Sequence, residues 1–436
     1  MKKIIIAGAG HGGLVAATHF AKNGYDVTVF EKRKRENLGH DWHDWLSYAA
    51  FDDSGIPRPD ESIVHKGIPS CFRNPKNSIN IITQPDEAAI IMDRKELITF
   101  LVSLAEEAGA KLVFDTEILA PITEGRAVKG IFIKQGDEVK AVEGDLLVDA
   151  AGMYSPIRSK LPATFNIDNE INKRSIFHVY RAYYENLTGE DRDPAYHIDM
   201  FHMYRPGLDW CITNSDCVDI LIGKFSQSGP LTQQEVDDAL NSYKLDFPFL
   251  GEKILRGGQF VDIPISRMLA LIVADGYAAI GDSAGMTVPL NGSGIILSMN
   301  AGKILADTVI NADGDTSKAN LWNYEYEYFN KLGRDLVIID IVKTVFTYVK
   351  GDVVDYIMEN GILNADMLGI ADGKPVNLTS DYIINAIKSS PPLLKLIPAL
   401  AKTMKTIPFL NLVCASIPKS YDEEKVNKWI KSYKAL

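Results

Sequence analysis

A chain of 436 residues is long enough for two or three domains with substantial cores. With 46% hydrophobic residues, 24% charged residues and a formal net charge of −11, it has a globular composition and lacks the basic excess of a nucleic-acid surface. Four scattered cysteines (Cys71, Cys211, Cys217, Cys414) form no C-x-x-C pair, which argues against a zinc ribbon or an iron–sulfur cluster and fits a reducing compartment. No apolar run reaches the roughly 18 residues of a spanning helix, and glycines interrupt "MKKIIIAGAG" too early for a signal peptide. The expectation is a cytoplasmic protein.

Lys3 to Ala7 is a short β-branched run, as in a buried parallel strand. Gly8, Gly10 and Gly13 then satisfy G-x-G-x-x-G, with Ala9, His11 and Gly12 between them. Leu14 to Lys22 reads as an amphipathic helix ended by Asn23-Gly24, and Tyr25 to Phe30 as a second strand closed by Glu31 and Lys32. Gly8 permits the tight turn, Gly10 lets the backbone approach a pyrophosphate, and Gly13 allows close helix–strand packing. The helix N-terminus faces the phosphates. Glu31, 18 positions after Gly13, stands where an acid accepts hydrogen bonds from ribose hydroxyls and disfavours a 2′-phosphate. A lone glycine motif says little; strand, glycines, helix, strand and acid in order specify a dinucleotide, either FAD or NAD.

Next comes "GHDWHDWLSYAAF", Gly39 to Phe51. His40, Asp41, His43 and Asp44 carry metal-ligand atoms, yet they are too crowded for a tetrahedral site and no distant pair completes them, so no metal is expected. Two readings remain: a packing loop in which Trp42 and Trp45 shield a cofactor, or a catalytic loop in which His43 or His40 carries a proton, tuned by Asp41 or Asp44.

Three later segments matter. "IMDRKELITFLVSLAEEAGAKLVFDTEI" is a helix opened by Arg94, with a strand ending at Ile118. "DLLVDAAGMYSPIRSKL" is a strand followed by Ala151-Gly152 and S-x-x-R. In "DGYAAIGDSAGMTVPLNGSGIILSMN" a short strand runs into Gly281-Asp282, then Pro289, then Gly292-Ser293-Gly294 opening a long helix at Ile295. An Asp at a strand end can accept hydroxyls, and the glycines permit close backbone approach.

These segments resemble the p-hydroxybenzoate hydroxylase and geranylgeranyl reductase superfamily, over roughly residues 1–330. The resemblance implies FAD as the cofactor. It places Arg94 near the FAD, Ile118 at the strand flanking the adenine, Asp282 on the ribityl or ribose hydroxyls, and the later glycines at the flavin pyrimidine edge. Ala151 stands where the family commonly has an Asp linked to FAD and NADPH binding, which weakens direct use of NADPH. "YRPGLDWCITNSDCVDILIGKF" resembles the geranylgeranyl reductase segment P-G-x-Y-x-W at Pro206, Gly207, Trp210 and Gly223, without its Phe-Pro-Lys. The family's Cys-containing motif has no counterpart before Cys71.

The expected architecture is α/β: a discontinuous Rossmann-like FAD-binding domain (1–164 and 270–330), a mostly antiparallel β substrate domain (165–269) and a helical C-terminal region (331–436). The tail is interrupted by Pro391, Pro392, Pro398, Pro408 and Pro418, so it reads as a helical cap, a membrane-touching surface or an interface. The preferred chemistry is reduction of a carbon–carbon double bond in an apolar, prenyl-like substrate. Hydride comes from reduced flavin N5 and a proton from a side chain or water. His43 is the candidate acid with Asp44 beside it; Trp45, Tyr180, Tyr204 and Trp210 are candidate pocket walls. NAD(P)H or a ferredoxin would deliver the electrons. The rivals are a monooxygenase, a non-redox FAD-dependent isomerase or hydratase, and a flavin electron carrier.

Overall fold

The computed structural model describes residues 2–368 and 409–436. Its first layer is a six-stranded sheet in the order Val273–Ala274, Tyr277–Ala279, Leu146–Asp149, Lys3–Ala7, Asp26–Phe30, Lys111–Val113. All neighbours run parallel except the hairpin at the Val273 edge. Ile4, Ile5 and Ile6 are wholly buried, as a strand covered on both faces requires. Helices His11–Lys22, Arg94–Glu107 and Ile295–Ile310 pack together beside this sheet. The mixed α/β architecture expected from the sequence is present, with both parallel and antiparallel sheets and C-terminal helices.

The second layer is a seven-stranded sheet, ordered Leu250–Pro264, Ile176–Asn186, Cys217–Phe225, Leu208–Thr213, Tyr196–Met200, Ser70–Arg73, Asn80–Thr83. It is antiparallel except where Tyr196–Met200 meets Ser70–Arg73. Two of its strands, Ser70–Arg73 and Asn80–Thr83, come from the stretch the sequence assigns to the FAD-binding part. They cap the edge that Tyr196–Met200 would otherwise leave unpaired.

The two faces of this sheet follow from the two-residue period of "IFHVYRAYYEN". Phe177, Val179 and Tyr183 enter one apolar cluster, with Trp42, Ile265 and the helix Gly351–Glu359. Tyr180, Ala182 and Tyr184 enter another, beneath the helix Gln233–Asp246. That helix starts with a capping box between Thr232 and Glu235. On the inner face, Val353, Val354, Ile357 and Met358 supply the apolar stripe of the covering helix.

The final helix, Glu423–Lys434, docks on the first layer: the Tyr433 hydroxyl donates to Met268 O at 2.9 Å, and the Trp429 indole to Val413 O at 3.0 Å. Pro391, Pro392, Pro398 and Pro408 lie outside the described residues. No helix among the described residues is long and apolar enough to cross a membrane.

Helix Lys318–Tyr328 buries Glu325 completely against the Val273 edge, where it accepts from Ile272 N at 3.1 Å. Burial pushes its carboxyl from an ordinary 4.5 up to about 8. The folded protein therefore holds a proton that the unfolded chain has already released. Stability from this group is full below pH 4.5 and is lost as pH rises through about 8. Glu325→Gln is expected to gain a few kcal/mol over the parent at pH 9 and nothing at pH 4, read by urea unfolding at the two pH values.

Candidate functional site

The first glycine motif builds a tight cradle. Gly8 has φ +99°, and a Cβ there would lie 2.5 Å from Ala150 O. A Cβ on Gly13 would lie 2.7 Å from Gly8 O. Gly10 precedes the helix without supplying a side-chain cap, and Leu14 N donates to Gly10 O at 2.9 Å. The N–H groups of His11, Gly12 and Gly13 thus remain for an anion at the helix N-terminus. Glu31, at the end of the second strand, accepts from Ala9 N and Arg33 N, each at 2.9 Å. Lys32 is exposed beside it.

The second motif meets the first directly. A Cβ on Gly12 would lie 2.4 Å from Ser298 O, and one on Gly302 only 2.3 Å from Gly12 O. Helices His11–Lys22 and Ile295–Ile310 therefore cross backbone to backbone, with their N-termini at the same end of the sheet. Gly281 and Gly292 take positive φ, +63° and +75°. A Cβ on Gly294 would come 3.6 Å from Asp282 Oδ1. Gly294 caps its helix without a side chain, as Gly10 does, leaving Ile295 in the first turn; Pro289 is buried in the intervening loop. The carboxylate of the "DAAG" segment, Asp149, points inward: Ser155, Tyr277 and Ser283 donate to it at 2.6, 3.0 and 3.0 Å. Gly152 has open space at its Cβ position and φ +84°.

The stretch read as a loop is partly a strand. His43–Ser47 pairs antiparallel with Ala89–Asp93, His43 facing Asp93 and Trp45 facing Ile91. A strand sends alternate residues to opposite faces, so His43 and Asp44 do not share a site face. Asp44 forms a bidentate pair with Arg94, at 2.6 Å from Nε and 2.5 Å from Nη2. Burial opposes the Asp44 carboxylate, but Arg94 outweighs it and its pKa is lowered. Arg94 also acts on His11, which burial and that cation push down to about 3, and on His40, pushed down to about 4. Burial raises the Asp282 carboxyl above its ordinary value, and the same cation offsets only part of that. Arg94 thus reaches groups of both glycine motifs and of the 39–47 segment. His11 Nε2 is buried with no hydrogen-bond partner among the described residues.

These residues fit a dinucleotide flavin: two helix N-termini for phosphate and carbonyl oxygens, Glu31 and Asp282 for hydroxyls, and an unpartnered imidazole nitrogen between them.

His43 faces the seven-stranded sheet. Its N–H donates to the Tyr183 hydroxyl at 2.7 Å, its ring stands edge-on to Tyr183 at 5.6 Å, and its Nε2 lies 3.8 Å from Asp93. Burial, then the Arg256 cation, lowers its pKa, so the ring is neutral at pH 7. Trp45 and Trp210 both rest on Tyr196, at 5.0 and 6.1 Å between ring centroids. Two expected walls stand elsewhere. Tyr180 sits on the outer face, its hydroxyl 3.2 Å from that of Tyr184, because it is out of phase with Val179 and Arg181. Tyr204 is 49% exposed and its hydroxyl donates to Asp355 at 3.0 Å, so it clasps the covering helix from outside. The Ile118 side chain is turned into the first-layer core.

The sequence reading missed the charged floor. Arg181 pairs with Asp219 at 2.9 and 2.6 Å and donates to His43 O at 2.9 Å. Its guanidinium lies 5.3 Å from the Trp42 ring and 4.9 Å from that of Trp210, while Arg94 covers Trp42 at 5.1 Å. The signal was available: a lone Arg in phase with buried apolar residues of a strand demands an acidic partner.

Residues 1–183 match the family model described as an FAD binding domain. The chain is 26% identical over 439 residues to a digeranylgeranylglycerophospholipid reductase of Sulfolobus acidocaldarius, covering 96% of this chain and 94% of that one. A digeranylgeranylglycerophospholipid reductase of Methanothrix thermoacetophila is 24% identical, with 82% and 90% covered. The chain is an FAD-dependent oxidoreductase, similar in sequence to these reductases. Its fold matches a geranylgeranyl bacteriochlorophyll reductase-like protein from Thermoplasma acidophilum with a TM-score of 0.73 at 19% identity, covering 92% of this chain and 99% of that one. A flavin-dependent brominase shares the fold at a TM-score of 0.66 and 19% identity, with 89% and 98% covered. The flavin of this oxidoreductase is FAD, as its glycine motifs imply.

Proposed function

We propose that this oxidoreductase reduces a carbon–carbon double bond of an apolar, prenyl-like substrate, with bound FAD supplying the hydride. The observation that carries the reading is the aromatic and aliphatic cluster on the inner face of the seven-stranded sheet. Trp45, Tyr196, Phe177, Val179 and the helix Gly351–Glu359 pack together in it, and it adjoins Arg94 through Trp42. An apolar face of this kind, opened to a substrate, excludes water and orients a hydrocarbon chain without polar contacts. The names of the relatives point to the same class of substrate. NAD(P)H or a ferredoxin delivers the electrons, and the C-terminal region makes peripheral membrane contact, where a prenyl lipid resides.

His43 is the proposed proton source. Its lowered pKa means that turnover rises as pH falls below 6.5, the ordinary histidine value, because only the imidazolium can give a proton. His43→Ala is expected to cut kcat about 100-fold and to erase that pH dependence. Unchanged turnover would assign the proton elsewhere.

The test of the function is anaerobic. Chemically reduced holoprotein is mixed with geranylgeranyl lipids and flavin reoxidation is followed by absorbance, with product mass measured afterwards. The expected result is reoxidation without oxygen and a product heavier by a pair of hydrogens. Reoxidation only in air, with oxygen appearing in the product, would make the protein a monooxygenase instead.

A further inference from the structure

Two cross-strand pairs from different sheets meet at His43. In a three-stranded sheet His43 stands opposite Asp93; in the seven-stranded sheet Tyr183 stands opposite Arg256. The His43 ring is edge-on to Tyr183 at 5.6 Å, and the Arg256 guanidinium lies 4.2 Å from the centre of the same ring. Asp93 is already committed. As the cap of helix Arg94–Glu107 it accepts from Lys95 N at 2.8 Å through Oδ1, and its Oδ2 accepts from Arg256 Nη1 at 2.7 Å. His43 Nε2 lies 3.8 Å from that same Oδ2, too far for a hydrogen bond. Asp41, 3.5 Å away, tethers Arg256 from its other side, and Lys95 tethers Asp41 at the same distance.

The charged groups acting on the His43 ring are Arg256, Asp219, Asp93 and Arg181; burial first, then Arg256, holds its pKa down against the two acids. Each acid is taken by an arginine, Asp93 by Arg256 and Asp219 by Arg181. An imidazolium bound by a free carboxylate is a weaker acid, and a guanidinium, always charged, denies it that partner. The His43 side chain is nonetheless 31% exposed, so the ring is not sealed in.

We infer that Arg256 is a positioning residue for the proton step: by holding Asp93 Oδ2 it keeps that oxygen from His43 Nε2 and leaves the imidazolium proton free to depart. This rests on the role of His43 proposed above. In that step the imidazolium N–H bond breaks as the electron pair of the alkene forms a C–H bond on the carbon that does not receive the hydride. The neutral imidazole then recovers its proton from water. Asp93 and Arg256 keep their charges throughout.

The primary readout is the His43 titration itself, followed by proton NMR of the imidazole ring in holoprotein and assigned by the signal missing from His43→Ala. Arg256→Gln frees Asp93, and the His43 midpoint is expected to rise by about one pH unit. Asp93→Asn preserves the helix cap, since asparagine caps as well as aspartate. Added to Arg256→Gln it is expected to remove most of that rise; alone, with Oδ2 already occupied in the parent, it moves the midpoint far less. Arg256→Lys, which keeps a cation at the carboxylate, should stay near the parent. In anaerobic turnover of Arg256→Gln the pH profile should shift up with the NMR midpoint and the low-pH plateau of kcat fall about threefold, with KM held within about twofold. A midpoint unmoved in Arg256→Gln overturns the inference. So does a rise that survives Asp93→Asn, which would be the bare loss of a nearby cation. If the midpoints move as expected while turnover ignores them, the hold on Asp93 stands and the reading of His43 as the proton source falls.

Discussion

Gly10→Ala yields a folded protein that emerges without flavin. The backbone at Gly10 has φ −74° and ψ 164°, a conformation open to any L-residue. A Cβ there would find nothing of the protein nearer than Ala150 O at 3.6 Å. Loss of glycine at a helix cap costs at most about 1 kcal/mol, so the apo variant should unfold close to apo parent. The added methyl instead takes up free space at the glycine turn, where a pyrophosphate has to approach. FAD affinity should drop about 100-fold or more, read by flavin fluorescence on titrating apoprotein. Gly8 and Gly12 provide the contrast. A Cβ at either would sit 2.5 Å or closer to a backbone carbonyl, so those variants should lose stability and flavin together. Near-parent FAD affinity in Gly10→Ala would remove the cofactor from this cradle.

The two glycine motifs were legible because each pairs a local backbone demand with a residue type that alone can meet it. Gly12 shows the limit of that legibility. The motif explains a glycine near the phosphates, but not that its partner is Ser298, because nothing local encodes which helix will lie across it. The reach of Arg94 to both motifs was partly visible, since the family resemblance set it near the cofactor; its bidentate grip on Asp44 was not. The "HDWHDW" stretch misled for a related reason. Its residues alternate in a strand pattern only from His43 onward, and the partner strand that makes them a strand, Ala89–Asp93, lies more than forty residues away. Tyr180 and Tyr204 stand away from the inner face for different causes. Period-two phasing from Val179 would have sent Tyr180 to the outer face. Tyr204 follows a turn with positive φ at Phe201 and Met203, which no composition rule foretells.

Arg181→Met is expected to destabilise the protein by about 3–5 kcal/mol, more than the loss of any contact on the surface. The side chains of Arg181 and Asp219 are only 6% and 2% exposed, and their two hydrogen bonds are at 2.9 and 2.6 Å. Removing the cation leaves the Asp219 carboxylate in the middle of a sheet without its partner. Asp219 lies opposite Tyr183 on one neighbouring strand and Ile212 on the other, and neither supplies positive charge. The second substitution decides the interpretation. Arg181→Met with Asp219→Leu removes both charges and fills the volume with carbon, a replacement that is neutral or stabilising elsewhere in proteins. The double variant should therefore recover to within about 1–2 kcal/mol of the parent in urea unfolding, a non-additivity that only a coupled pair produces. Turnover should not recover with it. His43 O loses its donor, the two tryptophans lose the guanidinium between them, and the strand carrying Asp44 towards Arg94 is freed on its other side. Stability restored without activity would locate the purpose of this buried pair in holding His43 and Trp42 in place beside Arg94; activity restored in step with stability would reduce it to a fastening within the sheet.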